Sequence, residues 1–116
     1  MPSTSNSARV QQTTIGASTA ETTIVTADPN FRLHLTGLIV TTLNGAASTL
    51  TLRDKTGGTA RAIFDYPNAA SVPGTPLVLN FDPPLEQIEG KNNNWTIQAS
   101  ASATGYKITA CFTAED

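Results

Sequence analysis

The sequence predicts an all-β fold, an antiparallel β-sandwich of jelly-roll or Greek-key type with about eight or nine strands. Threonine is the commonest of the 116 residues, with 19 copies, and its branched side chain suits a half-buried sheet surface. The 7 Pro and 8 Gly cluster between the Thr-rich runs, where turns are expected. No window of about 12 residues has apolar residues at helical spacing with caps at both ends.

Nine segments have the residue pattern of a strand, although the first is weak and the seventh is a short edge strand at best. They are residues 10–15, 19–27, 31–43, 49–54, 59–66, 77–81, 85–88, 95–101 and 106–113. Turns recur about every 8–12 residues, which is typical of a sandwich. The Pro-rich connection over residues 67–76 is long enough to cross between sheets, as a Greek key requires.

The strongest predicted strand covers residues 31–43. Its apolar residues alternate with polar ones as far as Leu35 and change parity after Gly37, so that Leu38 and Val40 continue the inward set. A glycine at a change of phase indicates a β-bulge or a bend.

The later strands each present one apolar face, which we expect to form the core. The inward residues are Leu50, Leu52, Leu77, Leu79, Phe81, Trp95, Ile97, Ala99, Tyr106, Ile108, Ala110 and Phe112. Asp82-Pro83-Pro84 is expected to end the strand at Phe81, because proline cannot donate a ladder hydrogen bond.

Residues 1–9 are small and polar, so we expect a flexible N-terminal arm followed by one domain over residues 10–116. An arm of this kind can become ordered on a partner surface. The expected partner-binding residues are Pro2, Ser3, Thr4, Ser5, Asn6, Ser7, Ala8, Arg9 and Val10. The loop over residues 67–76 is a second, weaker choice for the anchor.

The charge and composition exclude several classes of function. A net charge of −2 disfavours nucleic acid as the main partner, since such binding rests on basic patches. No apolar run approaches the ~20 residues of a membrane span, and the N-terminus lacks the apolar region of a secretory signal. The single Cys excludes an internal disulfide and a multi-Cys zinc site.

Catalytic groups are few, and we predict no enzyme, no cofactor, no metal and no small-molecule substrate. His34 has no motif that would place it between a serine and a carboxylate. Cys111 lies within a strand among small and apolar residues, which favours an inert buried thiol. Most carboxylates fall at turns, and Asp82, Glu86 and Glu89 form no recognisable calcium loop.

Two further groups of residues have ordinary structural explanations. Arg53, Asp54, Lys55 and Arg61 surround the Gly57-Gly58 turn and are expected to form a solvated charged tip. A carbohydrate- or receptor-binding module is the alternative to a structural protein, and it requires exposed aromatic residues. The residues named for that role are Phe64, Tyr66 and Trp95.

The stretch from Ala20 to Phe112 resembles small structural proteins of tailed-phage and prophage virions. Four features carry the resemblance: the Thr-rich strand at 22–27, the apolar strand around Gly37, the T-L-x-D-x-T-G-G-T hairpin at 51–59 and the P-L-x-L-x-F strand from Pro76. A final pair of small-residue strands turns at Gly105-Tyr106.

The resemblance implies a non-enzymatic capsid decoration (cement) protein, with a head-fibre or neck component as the alternative. It implies a jelly-roll body, the major capsid protein as partner, a homotrimer, and a place on the capsid surface after synthesis in the host cytoplasm. Such a protein binds the assembled head, and binding that is specific for the assembled state stabilises that state.

Overall fold

The structure is a computed structural model that describes residues 5–16, 18–42, 48–66, 76–100 and 105–115. Within these ranges the secondary structure consists of eight strands, and no helix there is long and apolar enough to cross a membrane. The strands are β1 (Ser5–Ile15), β2 (Thr22–Val25), β3 (Arg32–Thr42), β4 (Ser48–Arg53), β5 (Ala60–Tyr66), β6 (Leu77–Leu85), β7 (Trp95–Ala99) and β8 (Tyr106–Glu115).

The eight strands form two four-stranded antiparallel sheets. Sheet 1 has the order β1-β8-β3-β6 and sheet 2 has the order β2-β7-β4-β5. Each sheet combines strands that are distant in sequence, because the chain crosses repeatedly from one sheet to the other. This arrangement is a jelly roll, and it confirms the predicted all-β sandwich.

The core lies between the inner faces of the two sheets, where the predicted alternation is confirmed for the central strands. The buried apolar residues are Ile15, Ile24, Val25, Leu33, Leu35, Leu38, Val40, Leu50, Leu52, Trp95, Ile97, Ala99, Tyr106, Ile108, Ala110, Phe112 and Ala114. Burial of this continuous apolar set supplies the main driving force for joining the sheets.

The change of phase predicted at Gly37 is a β-bulge. The register of β3 shifts between Leu35 and Gly37 against both β8 and β6. A Cβ atom at Gly37 would lie 3.2 Å from the carbonyl oxygen of Leu79, so the strands approach too closely there for a side chain to fit easily. The bulge lets Leu35 and Leu38 both face the core.

The predicted end of β6 at Phe81 is wrong. The strand continues through Asp82, Pro83 and Pro84 to Leu85, and the Asp82–Pro83 peptide bond is cis. Proline is tolerated there because β6 is the edge strand of sheet 1, so one side of its backbone needs no ladder partner. The separate short strand expected at residues 85–88 is also wrong, since only Leu85 is in a strand.

The start of β1 differs from the expected arm boundary. The strand begins at Ser5, so residues 5–9 belong to sheet 1 and only residues 1–4 of the expected arm lie outside the described ranges. Arg9 pairs with Phe112 and Ser5 with Ala114, with a register shift between them. These polar residues form a strand because their backbone groups pair with those of β8. The strand propensity of the residues alone does not indicate this pairing.

A buried amide, Gln87, completes the sheet where β6 has ended. Its Oε1 accepts a hydrogen bond from the backbone N–H of Leu33 at 2.8 Å, and its Nε2 donates to the carbonyl oxygens of Asn93 at 2.7 Å and Asp54 at 3.3 Å. The side chain is fully buried, so these bonds replace those that water would make.

We predict that Gln87→Leu lowers the free energy of unfolding by at least about 2 kcal/mol, because it leaves a buried N–H and two carbonyl groups without their partner. Urea unfolding followed by the fluorescence of Trp95 measures the change. The control is Ile88→Ala at the adjacent exposed residue, for which we expect a change within about 0.5 kcal/mol. Equal stability of the two variants contradicts the role of Gln87.

Candidate partner-binding surface

Strand β1 is fixed to the second sheet as well as to β8. The side-chain Oε1 of Gln11 accepts a hydrogen bond from the backbone N–H of Thr26 at 2.9 Å, and its Nε2 donates to the Thr26 hydroxyl at 3.2 Å. Arg9 lies 3.9 Å from the carboxylate of Asp28, in the connection between β2 and β3. These contacts close the side of the sandwich where β1 and β2 are neighbours.

The outer face of sheet 1 carries an apolar patch. Val10 of β1 lies opposite Cys111 of β8, which lies opposite Gly37 of β3. Two residues further along the same face of β3, Ile39 lies opposite Val78 of β6. The side chains of Val10, Ile39 and Val78 are 58%, 37% and 54% exposed. We call these five residues the outer patch.

The outer patch is suited to contact with a flat partner. Gly37 lies at its centre and adds no side chain, and Thr109 pairs with Ile39 beside it. Apolar side chains surrounded by polar ones are typical of protein interaction surfaces. Ile39 and Val78 are not among the expected partner-binding residues. The sequence feature that could have indicated them is an apolar residue at an outward position of a strand whose outward residues are otherwise polar.

The expected partner-binding residues divide into two groups. Pro2, Ser3 and Thr4 lie outside the described residues, and Ser5 to Val10 lie in β1. Val10 is the member of this set that joins the outer patch. The binding role of the set stays a prediction, and the second choice, the loop over residues 67–76, lies outside the described residues except for Pro76.

The charged tip is not the solvated loop that the sequence predicts. Asp54 is buried, and its Oδ2 accepts hydrogen bonds from the backbone N–H groups of Ile88 at 2.7 Å and Glu89 at 3.3 Å. The Nε of Arg61 lies 3.5 Å from the same oxygen. The carboxylate therefore holds the connection after β6 against the hairpin of sheet 2, and this role is structural.

The candidate catalytic side chains do not converge with a nucleophile or a metal site. His34 accepts a hydrogen bond at Nδ1 from the backbone N–H of Gln87 at 3.1 Å, and its Nε2 lies 3.8 Å from Glu115. Cys111 is a half-buried free thiol on the outer face of sheet 1. Within the described ranges no three His, Cys, Asp or Glu side chains come together as metal ligands do.

Of the three aromatic residues proposed for carbohydrate binding, Phe64 and Trp95 do not form an exposed platform, and the side chain of Tyr66 lies outside the described part of the chain. Trp95 has no exposed surface, and its indole N–H donates to the carbonyl oxygen of Leu33 at 2.6 Å. Phe64 packs against the core. The predicted inward position of Trp95 is therefore confirmed, and the exposed Trp95 that the carbohydrate-binding alternative requires is not found.

An open depression of about 330 Å³ lies on sheet 2. Its described lining residues include no aromatic and no titratable side chain, so these residues offer neither stacking for a sugar nor acid–base chemistry. The lining residues are Thr19, Thr49, Thr51, Gln98, Ala99 and Ser100.

Solved structures with a similar fold come from phage capsids and from a bacterial appendage. The chain aligns over 97% of its length with a capsid protein of Helicobacter pylori bacteriophage KHP30 (TM-score 0.56, 9% identity, 90% of that chain). It aligns over 97% with a chain of the cyanophage Pam1 capsid (TM-score 0.55, 16% identity, 88% of that chain). It aligns over 99% with a Bacillus endospore appendage protein, described as a disulfide-linked pilus (TM-score 0.58, 10% identity, 93% of that chain).

These structural neighbours agree with the resemblance to virion structural proteins, and at such identities they show the fold. No family model matches the chain, and no curated protein matches it in sequence. The jelly roll of this chain is thus one that phage capsid proteins use.

A carboxylate outside the outer patch, that of Glu21, fixes the hairpin between β4 and β5. Both carboxylate oxygens lie 3.0 Å from the backbone nitrogen of Gly57, which donates to them, and the hydroxyl of Thr96 donates to Oε2. Burial raises the pKa of Glu21, but the hydrogen bonds from Thr96 and Gly57 and the charge of Arg53 outweigh it, so the pKa lies below its ordinary value of 4.5.

We predict that Glu21→Gln destabilises the fold at neutral pH and that the difference from the wild type shrinks in acid. A carboxyl group whose pKa is lowered by folding stabilises the folded state above its unfolded pKa, and that contribution is lost as pH falls through the folded pKa. Urea unfolding between about pH 7 and about pH 3 measures the difference. The control Glu89→Gln removes an exposed carboxylate. If the difference in unfolding free energy between Glu21→Gln and the wild type does not change with pH, the prediction is contradicted.

Proposed function

We propose that this protein is a capsid decoration (cement) protein, which binds the assembled head of a tailed phage and stabilises it. The observation that carries the proposal is a jelly roll shared with phage capsid proteins, together with an exposed apolar patch on one sheet face. The resemblance of the sequence to virion structural proteins supports the same role. The proposed partner is the major capsid protein, and the proposed location is the head surface after synthesis in the host cytoplasm.

To stabilise the head, the protein needs only to bind the assembled shell more tightly than it binds the free subunits. A protein that binds the assembled shell and not the free subunits shifts the equilibrium towards the shell, by an amount that grows with its concentration relative to Kd. A rigid sandwich suits this work because few groups must be ordered on binding.

The proposed attachment surface combines the outer patch with the residues that precede β1. The patch supplies an apolar centre, and in the sequence Pro2, Ser3 and Thr4 precede the strand that contains Val10. A polar segment that orders on the shell adds contacts at the rim of such a centre. The loop over residues 67–76 stays a second choice for the anchor.

The number of copies that act together is a separate part of the proposal. The resemblance to decoration proteins implies a trimer. A homotrimer is therefore the oligomeric state that we propose.

We predict that Val10→Lys weakens binding to isolated tailed-phage heads by at least about tenfold, because it places a charge in the apolar centre of the contact. Removal of residues 1–4 is expected to weaken binding as well. Truncation at Gln11 is unsuitable, since it deletes half of β1. Co-sedimentation with heads that lack the protein measures the binding.

The matched control for this experiment is Ile88→Lys, which adds the same charge at an exposed apolar residue outside the outer patch. This variant is expected to bind as the wild type does. If Val10→Lys and the shortened chain both bind normally, the attachment surface is wrong. If the wild-type protein itself does not bind heads, the decoration role is wrong.

A further inference from the structure

A second open depression, of about 280 Å³, lies on the outer face of sheet 1 between β1 and β8. Lys107 and Thr109 point to this face, because Ile108 between them is buried in the core. Thr14 lies opposite Lys107 and Gln12 lies opposite Thr109, so their side chains share the same face. The lining consists of Gln12, Thr13, Thr14, Lys107, Ile108 and Thr109.

The side chains that line this depression are rich in hydrogen-bond donors and carry one positive charge. Lys107 has an ammonium group, Thr14 and Thr109 have hydroxyl groups, and Gln12 has an amide. The lining residues include no carboxylate, whereas those of the depression on sheet 2 include no charged side chain at all. The depression on sheet 1 is therefore suited to a negatively charged acceptor.

No acidic side chain in the described ranges lies within ion-pair distance of Lys107. Glu115 is eight residues further along β8, which places it about 26 Å away at a rise of ~3.3 Å per residue. Outside the described ranges the sequence contains a single acidic residue, Asp116, which directly follows Glu115. The charge of Lys107 thus has no counter-charge among the described side chains.

The depression borders the outer patch. Thr109 lies opposite Gln12 on one side and opposite Ile39 on the other, and Gln12 is two residues from Val10 on the same face of β1. A partner that rests on the outer patch therefore also covers Lys107. Covering an ammonium group removes its water, and this is unfavourable unless the partner supplies an acceptor, best of all a negatively charged one.

We propose that the depression at Lys107 receives the carboxylate of an Asp or Glu side chain from the capsid subunit that the outer patch contacts. This inference rests on the proposed function and specifies the chemistry by which its partner is recognised. The apolar side chains of the outer patch supply contact area, and the charge pair selects the partner surface and its orientation. A single lysine on a chain of net charge −2 does not provide the series of phosphate contacts on which nucleic-acid binding depends.

Reversal of the charge at Lys107 tests the inference. Lys107→Glu is expected to weaken binding to isolated heads that lack the protein at least about tenfold, because it brings two carboxylates together. Lys107→Gln removes the charge but keeps a donor, and we expect it to weaken binding at least about threefold. Co-sedimentation at one ionic strength measures both, and circular dichroism establishes that the variants are folded.

The matched control is Lys55→Glu, which makes the same substitution at an exposed lysine in the hairpin between β4 and β5. It changes the net charge of the chain by the same amount and is expected to bind as the wild type does. The salt dependence gives a second measurement. Between about 0.05 M and about 0.5 M salt the wild type is expected to lose affinity more steeply than Lys107→Gln, because salt screens the charge pair.

The outcomes separate this inference from the proposed function. If the wild type binds heads and Lys107→Glu binds equally well, the inference is wrong and the decoration role stands. Equal weakening by Lys55→Glu also overturns the inference, since the effect then comes from net charge. The same holds if Lys107→Gln keeps the full salt dependence of the wild type. A wild type that does not bind heads overturns the decoration role, and this inference with it.

Discussion

One end of the sandwich is held at a single backbone position, Leu33, whose N–H and C=O both bond to side chains. Leu33 N–H donates to Gln87 Oε1, and its carbonyl accepts from the indole N–H of Trp95. Strand β6 does not pair with β3 at Leu33, so the backbone groups of Leu33 that point away from β8 need other partners. A buried backbone group without a partner costs about as much as a lost hydrogen bond, so this end of the sandwich depends on two side chains.

The same requirement explains the cluster of polar groups beneath the hairpin between β4 and β5. The Gln87 amide also bonds to the carbonyl of Asp54, and the Asp54 carboxylate holds the next two backbone N–H groups of the same connection. The connection from β6 to β7 is thus anchored to the sandwich through Gln87 and its backbone, while side chains such as Ile88 and Glu89 stay exposed. Buried polar networks of this kind fix one arrangement of the chain, because a partial loss leaves several groups without partners.

The sequence predicts the features of the fold that depend on the local alternation of apolar and polar residues. The inward faces of β3, β4, β7 and β8 follow from residues two apart, and the bulge follows from the change of parity at Gly37. The contacts of Gln87 and Asp54 are not predictable in this way, since Leu33 lies 54 residues from Gln87. Both polar residues also fall within predicted strand segments, 85–88 and 49–54, whose pattern does not indicate a buried polar contact. The course of β6 through Pro83 and Pro84 depends on its place at a sheet edge, which only the strand order reveals.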